Sequence, residues 1–219
     1  MATRQLLADL TAAYQQASDH RADIEAVGGV DAAKRVQAGE AFDVVVLASD
    51  AIARLMAAGC LLPGSQVDLA HSGVAVAVRA GDPLPDIATE DAVRRAVLAA
   101  SSVSVSTGPS GVALAKLFER WGIADEIASR MVQAPPGVPV GSLVAKGEVA
   151  LGFQQLSELL HVDGITVVGP LPPAIQITTT FSAAIGAHAQ QQDAARELLA
   201  YLASPATAPA KRRQGMDPA

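Results

Sequence analysis

Apolar and polar residues alternate along this chain with two different periods, one typical of helices and one typical of strands. Apolar positions three and four residues apart predict helices at residues 3–17, 31–38, 51–58, 89–99, 112–121, 123–131, 141–146 and 193–203. Short apolar or alternating runs predict strands at residues 23–27, 42–48, 74–78, 102–106, 149–153, 165–168 and 175–185. A final helix is predicted to begin at Ser204 and Pro205 and to run toward Arg213.

This alternation of strands and helices predicts an α/β fold with mainly parallel sheets. The run Phe42–Ala48 is apolar at nearly every position, which is typical of a parallel strand covered on both faces. No single long linker divides the chain, so a second lobe is expected to be an insertion into the first.

Composition then narrows the possible functions. The chain has 219 residues, half of them hydrophobic but only 3% aromatic, so its core is expected to consist of Ala, Val, Leu and Ile. The formal net charge of -6 argues against general binding to nucleic acid, because an acidic surface repels phosphates. No apolar run approaches the roughly 20 residues that cross a bilayer, so we expect no membrane insertion.

The content of cysteine and histidine argues against a metal or another cofactor. Cys60 is the only cysteine, which excludes an intrachain disulfide and a cysteine-based metal cluster. The histidines are scattered, with none at the i, i+4 spacing of a metal site, and we expect them on the surface or in loops: His20, His71, His161 and His188. The protein is therefore expected to bind no cofactor.

The strongest local signal for chemistry is the segment SVSTGPSG at residues 104–111, where a predicted strand turns into a predicted helix. The hydroxyls of Ser106, Thr107 and Ser110 and the backbone at Gly111 would lie at the N-terminus of that helix. Unpaired N–H groups and the helix dipole attract an anion there. The alternative is an ordinary turn between strand and helix, with a serine cap and Pro109 in the first turn.

Three further polar sites are candidates for ligand binding, and the first is a second turn before a helix. The turn at Gly28–Asp31, including Gly29 and Val30, again joins a predicted strand to a helix, with a plain turn as the alternative. It matches neither the GxxxxGK[ST] loop nor the GxGxxG fingerprint, which disfavours a nucleotide site.

Arg4, next to Thr3, begins the first helix, where a cation is unfavourable unless it pairs with a carboxylate or a ligand. Gln154, followed by Gln155, ends an apolar strand, which is where α/β sheets place their ligands. The alternatives are a solvated arginine and a pair of loop residues.

A catalytic centre is harder to predict. The chain has no GxSxG elbow, and its carboxylates are too scattered to identify a pair that would act on glycosides. Asp31 and His71 are the candidates for a general base, with no pattern that ties either to a substrate.

Several segments resemble the periplasmic molybdate-binding protein family, which belongs to the type 2 periplasmic solute-binding proteins. The resemblance begins with the glycine turn, helix and strand of residues 28–65 (GGVDAAKRVQAGEAFDVVVLASDAIARLMAAGCLLPGS). It continues through SGVAVAVRAG, STGPSGVALAKLFERWGI and GSLVAKGEVALGF to the final stretch AARELLAYLASPATAPAKRRQGMDPA. These motifs cover nearly the whole chain, and they identify the fold more specifically than the ligand.

The resemblance implies a two-lobed Venus-flytrap fold with two crossover hinge strands and a ligand between the lobes. Residues 1–78 and 176–219 would form a discontinuous first lobe, and residues 79–175 would form an inserted second lobe. The family begins with an additional strand and a serine-containing loop that this chain does not show, so we expect the first lobe to lack that strand.

The implied function is that of a solute-binding protein of an ABC-type transporter, which holds a small oxyanion such as molybdate, or a carboxylate. The predicted partners are this anion and the transporter permease, and we expect a monomer. The implied ligand-binding residues are Thr3, Arg4, Gly29, Val30, Ser106, Thr107, Ser110, Gly111 and Gln154.

An enzyme is the alternative, because a related branch of the family includes aconitate isomerase-like proteins, which shift the double bond of a tricarboxylate. Two departures favour a carboxylate over molybdate: the glycine turn reads GGVD where the family usually has Gly-Ser, and Arg4 is unlike a pocket without charge. The resemblance implies a periplasmic location. A cytoplasmic one is the alternative, because the segment MATRQLLADL has no apolar export segment.

Overall fold

The computed structural model describes residues 2–135 and 137–219, which form two compact units. The first unit contains the chain up to Ser72 together with Thr179–Ala219, and the second contains Gly73–Thr178. Met1 of the predicted first lobe and Pro136 lie outside the described residues. Among the described residues, none of the helices combines the length and the apolar composition that crossing a membrane requires.

The helices agree with the predicted periodicity to within a few residues at most ends. They are α1 (Arg4–Ala17), α2 (Gly29–Gln37), α3 (Ser49–Ala57), α4 (Glu90–Ala99), α5 (Pro109–Arg120), α6 (Ala124–Ile127), α7 (Val140–Ala145), α8 (Leu156–Leu159), α9 (Gln192–Ala203) and α10 (Ala208–Arg213). Thr89 caps α4, because its hydroxyl accepts a hydrogen bond from the Ala92 N–H at 3.2 Å.

The strands belong to a mixed sheet, not to a mainly parallel one. They are β1 (Val44–Ala48), β2 (Val67–Arg79), β3 (Val103–Val105), β4 (Met131–Gln133), β5 (Leu151–Gln155), β6 (Ile165–Pro170), β7 (Thr178–Ile185) and β8 (Asp217–Pro218). In the second unit β3 is parallel to β4 and β5, whereas β5 and β6 are antiparallel to β2. In the first unit β7 is antiparallel to β1, and β8 to β2. An apolar run looks the same in both arrangements, so the pattern did not separate them.

Strand β2 is longer than the sequence predicts, because its first half is rich in polar residues. Asp68 and His71 interrupt the apolar run there, and both have hydroxyl partners on β7. Ser182 donates to the Asp68 carboxylate at 2.6 Å, and the His71 Nδ1 lies 3.0 Å from the Thr180 Oγ1. These hydrogen bonds between strands keep polar residues within β2, where the hydrophobic pattern alone predicts no strand.

The strand predicted at residues 23–27 is wrong. Residues 20–28 contain neither helix nor strand, and Ile24 and Val27 are exposed. Alternation is not sufficient for a strand, because the backbone also needs a neighbouring strand for its hydrogen bonds.

Each unit has its own aliphatic core. In the second unit, Phe118 of α5 packs against Phe153 of β5, in a core to which β2, β3 and α4 contribute valines. In the first unit, leucines of α1 and α9 pack on alanine and isoleucine side chains of β2 and β7. These cores hold the ends of the strands and helices at which ligands are expected.

Lys211 is a buried cation in α10, with 1% of its surface exposed. Burial lowers the pKa of its ammonium group, and no ion pair to it is found among the described residues. We expect Lys211→Met to stabilise the protein by about 1–3 kcal/mol at pH 7, because the buried charge is removed while the length of the side chain is kept.

The sign of the pH dependence follows from the lowered pKa. Below the folded-state pKa the full penalty of burying the charge is present, and it disappears as the pH rises toward the ordinary value of 10.5. The advantage of Lys211→Met should therefore shrink between pH 7 and pH 10.5 in urea unfolding measurements. Exposed Lys146→Met is the matched control. A variant less stable than the wild type at pH 7 would show that the ammonium group has an acceptor.

Candidate functional site

The N-terminus of α5 has no side-chain cap. Its N-cap residue is Gly108, which has no side chain to accept a hydrogen bond from the first turn, and Pro109 follows as the first helical residue. The helix has 12 residues and no acidic residue in its first turn. The first-turn N–H groups and the dipole therefore meet no carboxylate within the first turn of the helix itself.

Hydroxyl groups cluster at the same helix end. The Ser106 and Ser110 hydroxyl oxygens lie 3.4 Å apart, so either can donate to the other. Ser110 is buried, whereas Ser106 and Thr107 are half-buried. Each hydroxyl can turn to donate to a ligand, which adds neutral donors to the backbone N–H groups.

Gly111 allows the helix to come this close to the end of the strand. A Cβ atom added there would lie 1.8 Å from the backbone oxygen of Ser106. Because that oxygen belongs to the backbone, it cannot swing aside as a side chain could. Gly111 is therefore required for the shape of the loop, beyond the ligand contact that the sequence analysis predicts for it.

Gln154 belongs to the same edge of the sheet. Strands β3 and β5 are parallel, with Val105 opposite Phe153, so Ser106 and Gln154 follow at neighbouring strand ends. Gln154 is 2% exposed, and its Oε1 atom accepts a hydrogen bond from the Gly141 N–H at 3.2 Å. Parallel α/β sheets bind ligands at this carboxyl edge.

Glu158 of α8 is a functional candidate that the sequence analysis missed. It is half-buried. Burial raises the pKa of its carboxyl group, while a side-chain hydrogen bond with Gln154 lowers it. The sequence does contain a signal, because Glu158 follows Gln154 by four residues, just after the apolar strand that contains Gln154. One carboxylate among many scattered carboxylates is, however, a weak indication of a functional site.

The remaining predicted residues lie in the first unit, at the beginnings of two helices. Thr3 is the buried N-cap residue of α1 and makes no capping hydrogen bond through its side chain, and Arg4 is exposed in the first turn. Gly29 and Val30 are exposed in the first turn of α2. Both helix ends therefore have backbone N–H groups that no side chain at the N-cap satisfies.

Asp31 lies inside helix α2 and not at its start, where the predicted range of residues 31–38 places it. Helix α2 begins two residues earlier, after Gly28, so Asp31 lies within its first turn, where its charge favours the helix dipole. Asp31 is exposed on α2, whereas the other candidate base, His71, is half-buried on β2 beside Thr180.

Comparison with known proteins places this arrangement in a family. The family model of the bacterial extracellular solute-binding proteins matches residues 1–217. The chain belongs to this family. An aconitate isomerase from a Pseudomonas species is 40% identical to it over 216 residues, which are 96% of this chain and 82% of that protein.

Solved structures share its fold at lower sequence identity. The periplasmic molybdate-binding protein of Azotobacter vinelandii has a TM-score of 0.80 at 20% identity, with 98% of this chain and 95% of that chain covered. The tungstate-binding protein of Desulfovibrio alaskensis has a TM-score of 0.67 at 16% identity, covering 93% and 86%. The α/β periplasmic-binding-protein fold and the family resemblance predicted from the sequence are confirmed.

Among the described residues, no group of three or more His, Cys, Asp and Glu side chains is arranged to hold a metal ion.

Proposed function

We propose that this protein binds an unsaturated tricarboxylate of the aconitate class and moves its double bond by one carbon. The observation that carries the proposal is the identity of 40% with an aconitate isomerase over 96% of the chain. This identity favours isomerisation over transport, which is the first expectation from the sequence alone.

The geometry of the second unit supports an anionic substrate. Thr107, Ser110 and the Gly111 N–H would donate to one carboxylate, whose charge the uncapped end of α5 stabilises. Ser106 would hold the Ser110 hydroxyl in place at 3.4 Å. Charge-assisted hydrogen bonds of this kind are stronger than those between neutral groups.

The first unit also has donors that are suited to a carboxylate. We propose Arg4 as a carboxylate ligand, because its exposed guanidinium group has two parallel donors for the two oxygens. The backbone at Gly29 and Val30 and the hydroxyl of Thr3 are proposed as neutral donors at the starts of their helices. Replacement of Arg4 by glutamine should weaken the binding of a tricarboxylate more than that of an inorganic oxyanion.

The second candidate function is that of a transport receptor, favoured by the match to the solute-binding family. In this role the protein would bind a small oxyanion or carboxylate in the periplasm and deliver it to an ABC-type permease. The charge-free donor set at α5 is equally suited to a tetrahedral oxyanion.

One pair of measurements separates the two functions. Proton NMR of cis-aconitate with the purified protein should show its conversion to trans-aconitate, because the isomerase changes the covalent structure. Calorimetric titrations with molybdate, sulfate and trans-aconitate provide the comparison. Tight molybdate binding without turnover of aconitate would overturn the isomerase proposal and support the receptor.

The Ser110 hydroxyl can be tested by itself. We expect Ser110→Ala to weaken the binding of trans-aconitate by about 1.5–3 kcal/mol, or roughly 10–150-fold, because one hydrogen bond to a charged group is lost. Calorimetry measures the change, with exposed Ser129→Ala as the control. An unchanged dissociation constant would remove Ser110 from the site.

A further inference from the structure

We propose that Glu158 is the catalytic residue that carries the proton during isomerisation, with Gln154 as the residue that positions it. The inference rests on the proposed function and adds a named base, which the sequence analysis could not identify.

The placement of Glu158 is the first argument. Helix α8 begins directly after β5, and β5 is the parallel neighbour of β3. The side chain of Glu158 therefore belongs to the carboxyl edge of the sheet at which Ser106 and the start of α5 follow β3. A substrate carboxylate held by α5 would bring the adjoining carbon atoms toward this edge.

The hydrogen bonds of Gln154 also support this role of Glu158. Its Oε1 atom is already occupied by the Gly141 N–H at 3.2 Å, so its Nε2 group is the one that faces the Glu158 carboxyl group as a donor. Because Gln154 is 2% exposed, this amide is held in place. A fixed donor orients the carboxylate and leaves its other lone pairs available for a proton.

The surroundings of Glu158 also suit a proton carrier. The adjacent Ser157 hydroxyl is buried and has no hydrogen-bond partner among the described residues, so a bound polar ligand can satisfy it. Burial raises the pKa of Glu158, which brings it closer to the neutral range in which a carboxyl group both accepts and returns a proton effectively.

The proposed step balances without a cofactor. The Glu158 carboxylate removes a proton from the methylene carbon, and the electron pair of that C–H bond forms the new C=C bond with the central carbon. The π electrons of the old double bond take the proton back from the Glu158 carboxylic acid at the far carbon. One C–H bond breaks, one forms, and the carboxylate is regenerated.

Glu158→Gln tests the role, because glutamine keeps the size of the side chain and cannot accept the proton. We expect kcat for aconitate isomerisation to fall by at least about 100-fold, with the dissociation constant of trans-aconitate changed by less than about 3-fold. The incorporation of deuterium from D2O into the substrate should be lost in parallel. Glu158→Asp should recover part of the rate, and exposed Glu148→Gln should behave as the wild type.

The outcomes distinguish this inference from the function on which it rests. If the wild type isomerises aconitate and Glu158→Gln does so at a similar rate with normal deuterium incorporation, Glu158 is not the base and the isomerase function stands. If Glu158→Gln weakens trans-aconitate binding and lowers kcat together, and Glu158→Asp restores both without a separate change in deuterium incorporation, the role of Glu158 is structural. If the wild type neither isomerises aconitate nor exchanges its protons, both proposals fail.

Discussion

Replacement of Gly111 by alanine is expected to abolish the binding of trans-aconitate and to lower the free energy of unfolding by about 3 kcal/mol. The new Cβ atom would lie 1.8 Å from the backbone oxygen of Ser106, far inside van der Waals contact. Relief requires the start of α5 to move away from β3, which destroys the hydroxyl cluster and separates packed core residues. Urea unfolding and calorimetric titration measure the two effects.

Gly108→Ala is the matched control for this experiment. A Cβ atom at Gly108 would meet only the Ser106 hydroxyl oxygen at 3.6 Å, an ordinary contact, and the backbone φ of -78° suits alanine. We expect Gly108→Ala to lower the free energy of unfolding by about 1 kcal/mol or less. If Gly111→Ala is as stable as Gly108→Ala and binds the anion normally, the close approach of helix and strand does not form the site.

Truncation of Phe118 to alanine is expected to lower the free energy of unfolding by about 3–5 kcal/mol. The ring is 2% exposed at the centre of the second unit's core. It contacts Phe153 edge-on with 6.0 Å between ring centroids and Trp121 with 5.8 Å. Alanine would remove both aromatic contacts and leave a cavity that the neighbouring strands cannot close.

The control for Phe118 is a large apolar side chain on the surface of the same unit. Leu84 is 61% exposed, so Leu84→Ala should change the stability by no more than about 0.5 kcal/mol in urea unfolding. The loss of stability for Phe118→Leu should lie between those for Leu84→Ala and Phe118→Ala. A loss below 1 kcal/mol for Phe118→Ala would contradict the assignment of this ring to a tightly packed core.

The family could be recognised from the sequence because its motifs are local. The glycine turn, the DVVV strand and the segment STGPSG keep their residue types at fixed spacing, and the family match over residues 1–217 agrees with that resemblance. Helices were predicted well for the same reason. Thr89 caps α4 and the apolar face of α9 is buried as the pattern indicates, since both depend on residues within a few positions.

The hydrophobic pattern could not predict the pairing of strands or the proposed role of Glu158. An antiparallel partner for β2 and a hydrogen bond between Gln154 and Glu158 depend on which distant segments become neighbours. The wrongly predicted strand at residues 23–27 has the same origin, because its alternation meets no partner strand. The close approach of Gly111 to Ser106 likewise appears only when the turn is built in three dimensions.

By itself the sequence determined the α/β class, most helices and the family. Each of these follows from hydrophobic periodicity, caps and turn residues, whose effects reach only a few positions along the chain. The tertiary structure decided that the sheet is mixed, that Lys211 is buried, and that the Ser106 and Ser110 hydroxyls come together at the start of α5. Burial and hydrogen-bond partners arise from contacts between distant segments, so the packed fold alone could reveal them.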